Sequence, residues 1–182
     1  MKKHWVKEIL EYLTSILIAF LITFLAPLYL FQPYKVEMGS MLPTLHNNDR
    51  IMINKITYRF GQPQRGDIVV FNPPNKNADV HYIKRIVGLP GESIQVKDGK
   101  VFINQTELIE PYLSQTDTPG FVGPVLLKED EYFVMGDHRN NSMDSRDFGA
   151  ITRDKIQGKT MCLLWPMKDF HVFSHEQYDL EK

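Results

Sequence analysis

Cysteine is nearly missing from this 182-residue chain. Cys162 stands alone, so no internal disulfide can form and no cysteine-rich metal site can be built; the core must hold the fold. An excess of either charge is missing too. With 21 Lys+Arg against 22 Asp+Glu and a net charge of −1, the chain lacks the overall basic footprint of a generic nucleic-acid binder, and no nucleic-acid partner is expected. The six histidines include no pair at metal-ligand spacing backed by a carboxylate or cysteine, and neither a metal nor another cofactor is expected. Absent as well are a Gly-x-Ser-x-Gly elbow, Ser-x-x-Lys, His-Glu-x-x-His, a phosphate-binding loop and a dinucleotide fingerprint. Proline and glycine, eleven each, are ordinary for a globular chain, so disorder is excluded.

What is present is very unevenly distributed, although the mean hydropathy of −0.27 looks soluble. From Tyr12 to Tyr34 there is no Asp, Glu, Lys, Arg or His. The stretch Leu13–Phe31 would span roughly 28 Å as a helix, close to the ~30 Å hydrocarbon thickness of a bilayer. A buried soluble helix is rarely apolar on every face. A cleaved leader would need a small-x-small site, where the chain has Ala26-Pro27-Leu28-Tyr29. The expectation is an uncleaved anchor over 12–34, with Pro27 as a kink and Pro33 as the exit. Lys2, Lys3 and Lys7 precede the run and only Lys35 closely follows it, which favours a cytoplasmic 1–11 and an outside domain over 35–182.

Beyond residue 35 the sequence changes to short apolar runs separated by turn signals. Arg50–Lys55 alternates, Gly66–Phe71 stops at Asn72-Pro73-Pro74, and Ser93–Lys97 and Lys100–Asn104 flank the hairpin pair Asp98-Gly99. Strands are also expected at Tyr132–Met135 and Lys159–Trp165, while the Pro- and Gly-rich 107–127 reads as a surface loop or small insertion. The expected fold class is therefore mainly β: an antiparallel β-sheet catalytic domain on a single N-terminal transmembrane helix.

Three segments carry possible chemistry. Gly39-Ser40-Met41-Leu42-Pro43-Thr44-Leu45 places a serine in a turn where Gly39 permits close backbone approach and Pro43 restricts the chain. Tyr82–Glu92 sets Lys84 inside an apolar strand. Met135–Gly149 is dense in polar residues, and no calcium-loop spacing fits it. Taken singly, each is also compatible with a loop, a strand whose lysine faces water, and a solvated turn.

Together with the anchor and Arg65–Phe71, and in that order along nearly the whole chain, these segments resemble the bacterial type I signal peptidases, in their compact Gram-positive form. That resemblance implies a membrane-bound serine endopeptidase that removes signal peptides after small residues at the first and third positions before the cut. It implies Ser40 as nucleophile, Lys84 as its base, Ser142 as the hydroxyl that orients the lysine, and Asp144 with Arg146 as a structural ion pair. An apolar setting that disfavours the ammonium suits such a base. The Ser40 backbone N–H would serve the oxyanion. Where some relatives carry a second hydroxyl donor, this chain has Met38. Val36, Met41, Tyr82 and Ile83, adjoining the two reactive residues, are the candidates to line the substrate pockets. The implied partners are preprotein signal peptides, the lipid bilayer and the secretion translocon, at the cell membrane.

Other readings stand beside this one. A self-cleaving repressor shares a Ser–Lys pair but carries a DNA-binding segment, which is not seen here. A metal-dependent hydrolase would use Asp137 and His138. A catalytically silent, membrane-anchored β module would bind envelope partners.

Overall fold

The structure is a computed structural model that describes residues 2–74, 76–77, 79–114 and 117–173, without the side chains of residues 2–4, 6 and 25–28. His175 and the rest of the terminus after Phe173 lie outside it.

A long helix, α1 (Lys2–Leu30), leads into an antiparallel β domain. Its apolar side chains, among them Ile9, Leu13, Leu17, Phe20, Leu21 and Phe24, are exposed. Among the described residues, however, no helix is long and apolar enough to cross a membrane. The first turns carry Lys7, Glu8 and Glu11, and the expected span draws on 25–28, whose side chains, Pro27 included, are not described. The expectation of a transmembrane helix is thus not met by the described residues.

The helix also ends before the uncharged run does. Phe31–Lys35 forms strand β1, paired antiparallel with β2 (Arg50–Asn54) in the register Phe31↔Asn54 to Lys35↔Arg50. Pro33 therefore lies in an edge strand, where a missing N–H is tolerated, and does not mark a helix exit. The Lys55 N–H donates to the Leu30 carbonyl at 2.9 Å, tying the end of α1 to the end of β2.

The large sheet runs β1-β2-β11-β3-β4-β9-β10, with β3 (Ile68–Phe71), β4 (Tyr82–Gly88), β9 (Glu131–Met135), β10 (Ile151–Thr152) and β11 (Ile156–Trp165). All four residues of β3 are buried because strands cover both its edges and side chains both its faces. Beyond the end of β3, the free edge of β11 is taken by β12 (His171–Val172), and Phe173 packs on the core beside Leu163 and Ile53.

A second sheet, β7-β6-β5-β8, contains the hairpin expected from Asp98-Gly99: β5 (Ser93–Lys97) and β6 (Lys100–Ile103). Asp98 and Gly99 have φ of 52° and 75°, the two left-handed positions of a type I′ turn. The 107–127 stretch departs from a simple loop. Thr106–Glu107 forms β7 and Val122–Leu126 forms β8, the latter hydrogen-bonded to β5 with Pro124 on the outer edge. Glycine and proline hid its alternation. Outside α1 the only α-helices among the described residues are α2 (Thr57–Phe60) and α3 (Ser145–Phe148).

Candidate active site

Strand β4 brings Lys84 to the middle of the large sheet, opposite Val69 of β3. The side chain is nearly sealed, 4% exposed, and its Nζ donates to Ser40 Oγ at 2.7 Å and to the Ile83 carbonyl at 3.1 Å. Burial pushes the Lys84 pKa down to about 8, and the charges of Asp144 and Asp137 hold it from falling further. A large part of this lysine is therefore neutral in mildly alkaline solution, when it can accept a proton.

Ser40 lies on the loop from β1 to β2. The loop is closed at its base by Val36 N–H to the Asp49 carbonyl at 2.8 Å and by Asn48 N–H to the Val36 carbonyl at 2.9 Å. Within it, Leu42 N–H donates to the Gly39 carbonyl and Leu45 N–H to the Met41 carbonyl, across a cis Leu42–Pro43 bond. Met41 and Leu45 bury themselves in the core with Val36, Ile51 and Ile53, so Ser40 rides on a packed turn.

The polar segment after β9 clamps that turn from the other side. His138 N–H donates to the Ser40 carbonyl at 3.1 Å, and its Nδ1 lies 3.2 Å from the Gly39 carbonyl, a contact that requires the proton on Nδ1. Asp137 accepts two bonds from the Arg85 guanidinium, 2.9 Å from Nε and 2.7 Å from Nη2, and a third from the Thr44 hydroxyl. The carboxylate is fully enclosed. Its engagement by Arg85 and Thr44 makes Asp137 a brace between the lysine strand and the serine loop, not a candidate metal ligand. Among the described residues no group of three or more His, Cys, Asp or Glu is placed to hold a metal ion.

Gly136 is required by the closeness of these loops. A Cβ there would stand 2.6 Å from Ser142 Cβ and nearer still to Ser142 Oγ and the Ser40 carbonyl oxygen. Ser142 is thus brought to the site, yet its buried Oγ has no hydrogen-bond partner and makes no bond to Lys84. Burial works to raise the Asp144 pKa, but the Arg146 guanidinium and the Gly136 N–H outweigh it and hold the carboxyl below its usual range. Asp144 and Arg146 form a bidentate pair, at 2.9 and 2.8 Å. The same carboxylate accepts from Gly136 N–H and caps α3, where Asp147 returns a bond to the Asp144 N–H.

Ser40 and Lys84 line a cleft of about 620 Å³ together with Val36, Met38, Gly39, Met41, Tyr82, Ile83, Asn141, Met143, Tyr34, Lys35, Glu37 and 79–81. All four residues expected to form pockets line it. Val36 and Met41 do so as part of the core floor, 3% and 2% exposed.

Several residues of this assembly escaped the sequence reading. Arg85 carried a signal, a second charge beside Lys84 in an apolar strand. Asp137 and His138 were read only as the residues a metal-dependent hydrolase would use, not as braces of the serine loop. Glu110 and Tyr112 gave none, yet Glu110 pairs with buried Arg139 and Tyr112 stacks 3.9 Å from the Arg85 guanidinium. Burial and Glu110 push the Tyr112 pKa up.

Comparison with known proteins shows a match to the family model described as signal peptidase, peptidase S26, over residues 9–165. Among similar sequences, signal peptidase I T of Bacillus subtilis is 41% identical over 170 residues, covering 88% of this chain and 87% of that protein. Signal peptidase I of Bacillus licheniformis is 39% identical over 172 residues, covering 89% and 91%. A crystal structure of a signal peptidase I from Enterococcus faecalis is similar at 30% identity and a TM-score of 0.49, covering 54% of this chain and 97% of that one.

Proposed function

The chain belongs to the signal peptidase family, peptidase S26, and from that premise we propose that it cleaves signal peptides from exported proteins with Ser40 as nucleophile and Lys84 as general base. The observation that carries the assignment is the 2.7 Å contact between Lys84 Nζ and Ser40 Oγ, with the lysine side chain buried. Neutral Lys84 takes the hydroxyl proton as Oγ attacks the scissile carbonyl, and the resulting ammonium returns that proton to the leaving amine. A water then attacks the acyl ester with Lys84 again as base, releasing the signal peptide and freeing Ser40. The Ser40 N–H, which has no acceptor among the described residues, is the donor for the oxyanion.

The cleft supports a substrate with small residues at the first and third positions before the cut, held over Val36, Met41, Tyr82 and Ile83. Gly39 and the Asp144–Arg146 pair act by shaping the two loops. Helix α1 anchors the chain in the cell membrane as a single pass, with 1–11 cytoplasmic and the β domain outside beside the translocon. Its exposed apolar side chains and its direct junction with the site-bearing sheet support this placement. The deciding experiment is cleavage of a membrane-reconstituted preprotein by the full chain. Ser40→Ala and Lys84→Ala are each expected to abolish it while membrane insertion persists, and retained cleavage in either would sink the dyad.

A further inference from the structure

On the Ser40–Lys84 reading, a group other than Ser142 must aim the lysine, because the Ser142 hydroxyl makes no bond to it. Two contacts besides Ser40 converge on Lys84 Nζ: the Ile83 carbonyl at 3.1 Å and the Tyr82 ring, whose centroid lies 5.2 Å away. That ring is itself fixed. Phe71 meets it edge-on at 6.2 Å and Phe148 packs at 6.4 Å. Its hydroxyl donates to Met143 Sδ at 3.7 Å, next in sequence to Ser142 on the opposing loop.

We propose that Tyr82 is a positioning residue for the base: its ring, held by Phe71, Phe148 and Met143, keeps Lys84 Nζ on Ser40 Oγ. An aromatic face attracts an ammonium most strongly when both are shielded from water. It therefore steadies the charged lysine that exists between proton uptake and proton return, while excluding the water that would let Nζ turn away. The other groups facing Lys84 are the Ser40 hydroxyl, Asp144 held by Arg146, and Asp137 held by Arg85. Lys35, Glu37, Asp79 and His81 also line the cleft.

The test compares Tyr82→Met and Tyr82→Phe with the wild-type full chain in lipid nanodiscs, measuring single-turnover preprotein cleavage against pH. Methionine keeps a long apolar side chain but removes the π face. The expected result is a plateau rate about tenfold lower, as for a misplaced base, together with an ascending limb moved down by about half a pH unit. Tyr82→Phe restores the greater part of both. An unchanged plateau, a loss confined to KM, a limb moved upward as admitted water would move it, or a phenylalanine variant no better than methionine overturns the role. If Tyr82→Met does not fold, Met143→Ala and Phe148→Leu loosen the same ring and must lower the plateau; wild-type rates in both overturn it. Active Lys84→Ala would reject the dyad itself, whereas inactive Lys84→Ala beside a wild-type-like Tyr82→Met rejects the role of Tyr82 alone.

Discussion

Lys84 Nζ and Ser40 Oγ, separated by 44 residues of chain, stand 2.7 Å apart with the lysine side chain almost entirely withdrawn from solvent. The strand presents the amine and the packed turn presents the hydroxyl, so neither depends on a flexible element.

Activity is expected to rise with pH on a limb centred near 8, the value to which burial brings Lys84. The same shift predicts a stability effect. Because the folded pKa lies below the ordinary lysine value of 10.5, the unfolded chain binds more protons between the two values, and stability rises with pH across that window. Below pH 8 the cost of the buried ammonium is fully present, about 3 kcal/mol. Lys84→Met should therefore be inactive yet more stable by about 1–3 kcal/mol at pH 7, with the gain gone above pH ~10.5. Urea unfolding of both proteins in detergent at pH 7 and pH 10.5 checks the difference.

Gly136→Ala should damage catalysis through the backbone of the nucleophile. The added methyl meets Ser142 and the Ser40 carbonyl together, so one loop must retreat, at about 1–3 kcal/mol. Loss of kcat at least as large as the loss of stability is the expected outcome; a variant with wild-type kcat would mean that the loops separate freely.

Removing Arg85 leaves the Asp137 carboxylate buried and uncompensated, a change that costs about 3–5 kcal/mol. Asp137 also favours the charged form of Lys84. Arg85→Met is accordingly expected to lower the unfolding midpoint and to move the ascending limb upward. Arg85→Met/Asp137→Leu should recover stability relative to the single variant, which a double-mutant cycle measures.

Met38→Ser supplies a hydroxyl two residues before the nucleophile. Met38 is exposed at the cleft with φ 67°, and its N–H is held by Asn47 Oδ1 at 3.1 Å. A rise in kcat of about 3- to 10-fold is expected if a second oxyanion donor is what this chain lacks. No gain in single-turnover cleavage would show the oxyanion to be adequately served already.

Wherever a strand had one buried and one open face, or a turn demanded particular residues, the reading was local and correct: Arg50–Asn54 and the Asp98-Gly99 hairpin follow from alternation and left-handed φ. The uncharged run through Tyr34 misled at its end, because Phe31–Lys35 takes its structure from pairing with β2 and not from its own hydropathy. Strand β8 was invisible for the same reason, its Gly123-Pro124 pair being tolerable only on an edge that β5 provides.

The sequence by itself determined that a charge-free segment precedes a disulfide-free β domain and that Ser40 and Lys84 are the residues to watch. Only the tertiary structure decided that they touch, and that Asp137 belongs to Arg85. It also placed Tyr112 and Glu110 from the second sheet's loops in the bracing of the site. Hydropathy and turn preference act between near neighbours and are written in order along the chain. A buried hydrogen bond, an ion pair or a lowered lysine pKa depends on which distant groups displace water together, and that is settled only when the sheet closes.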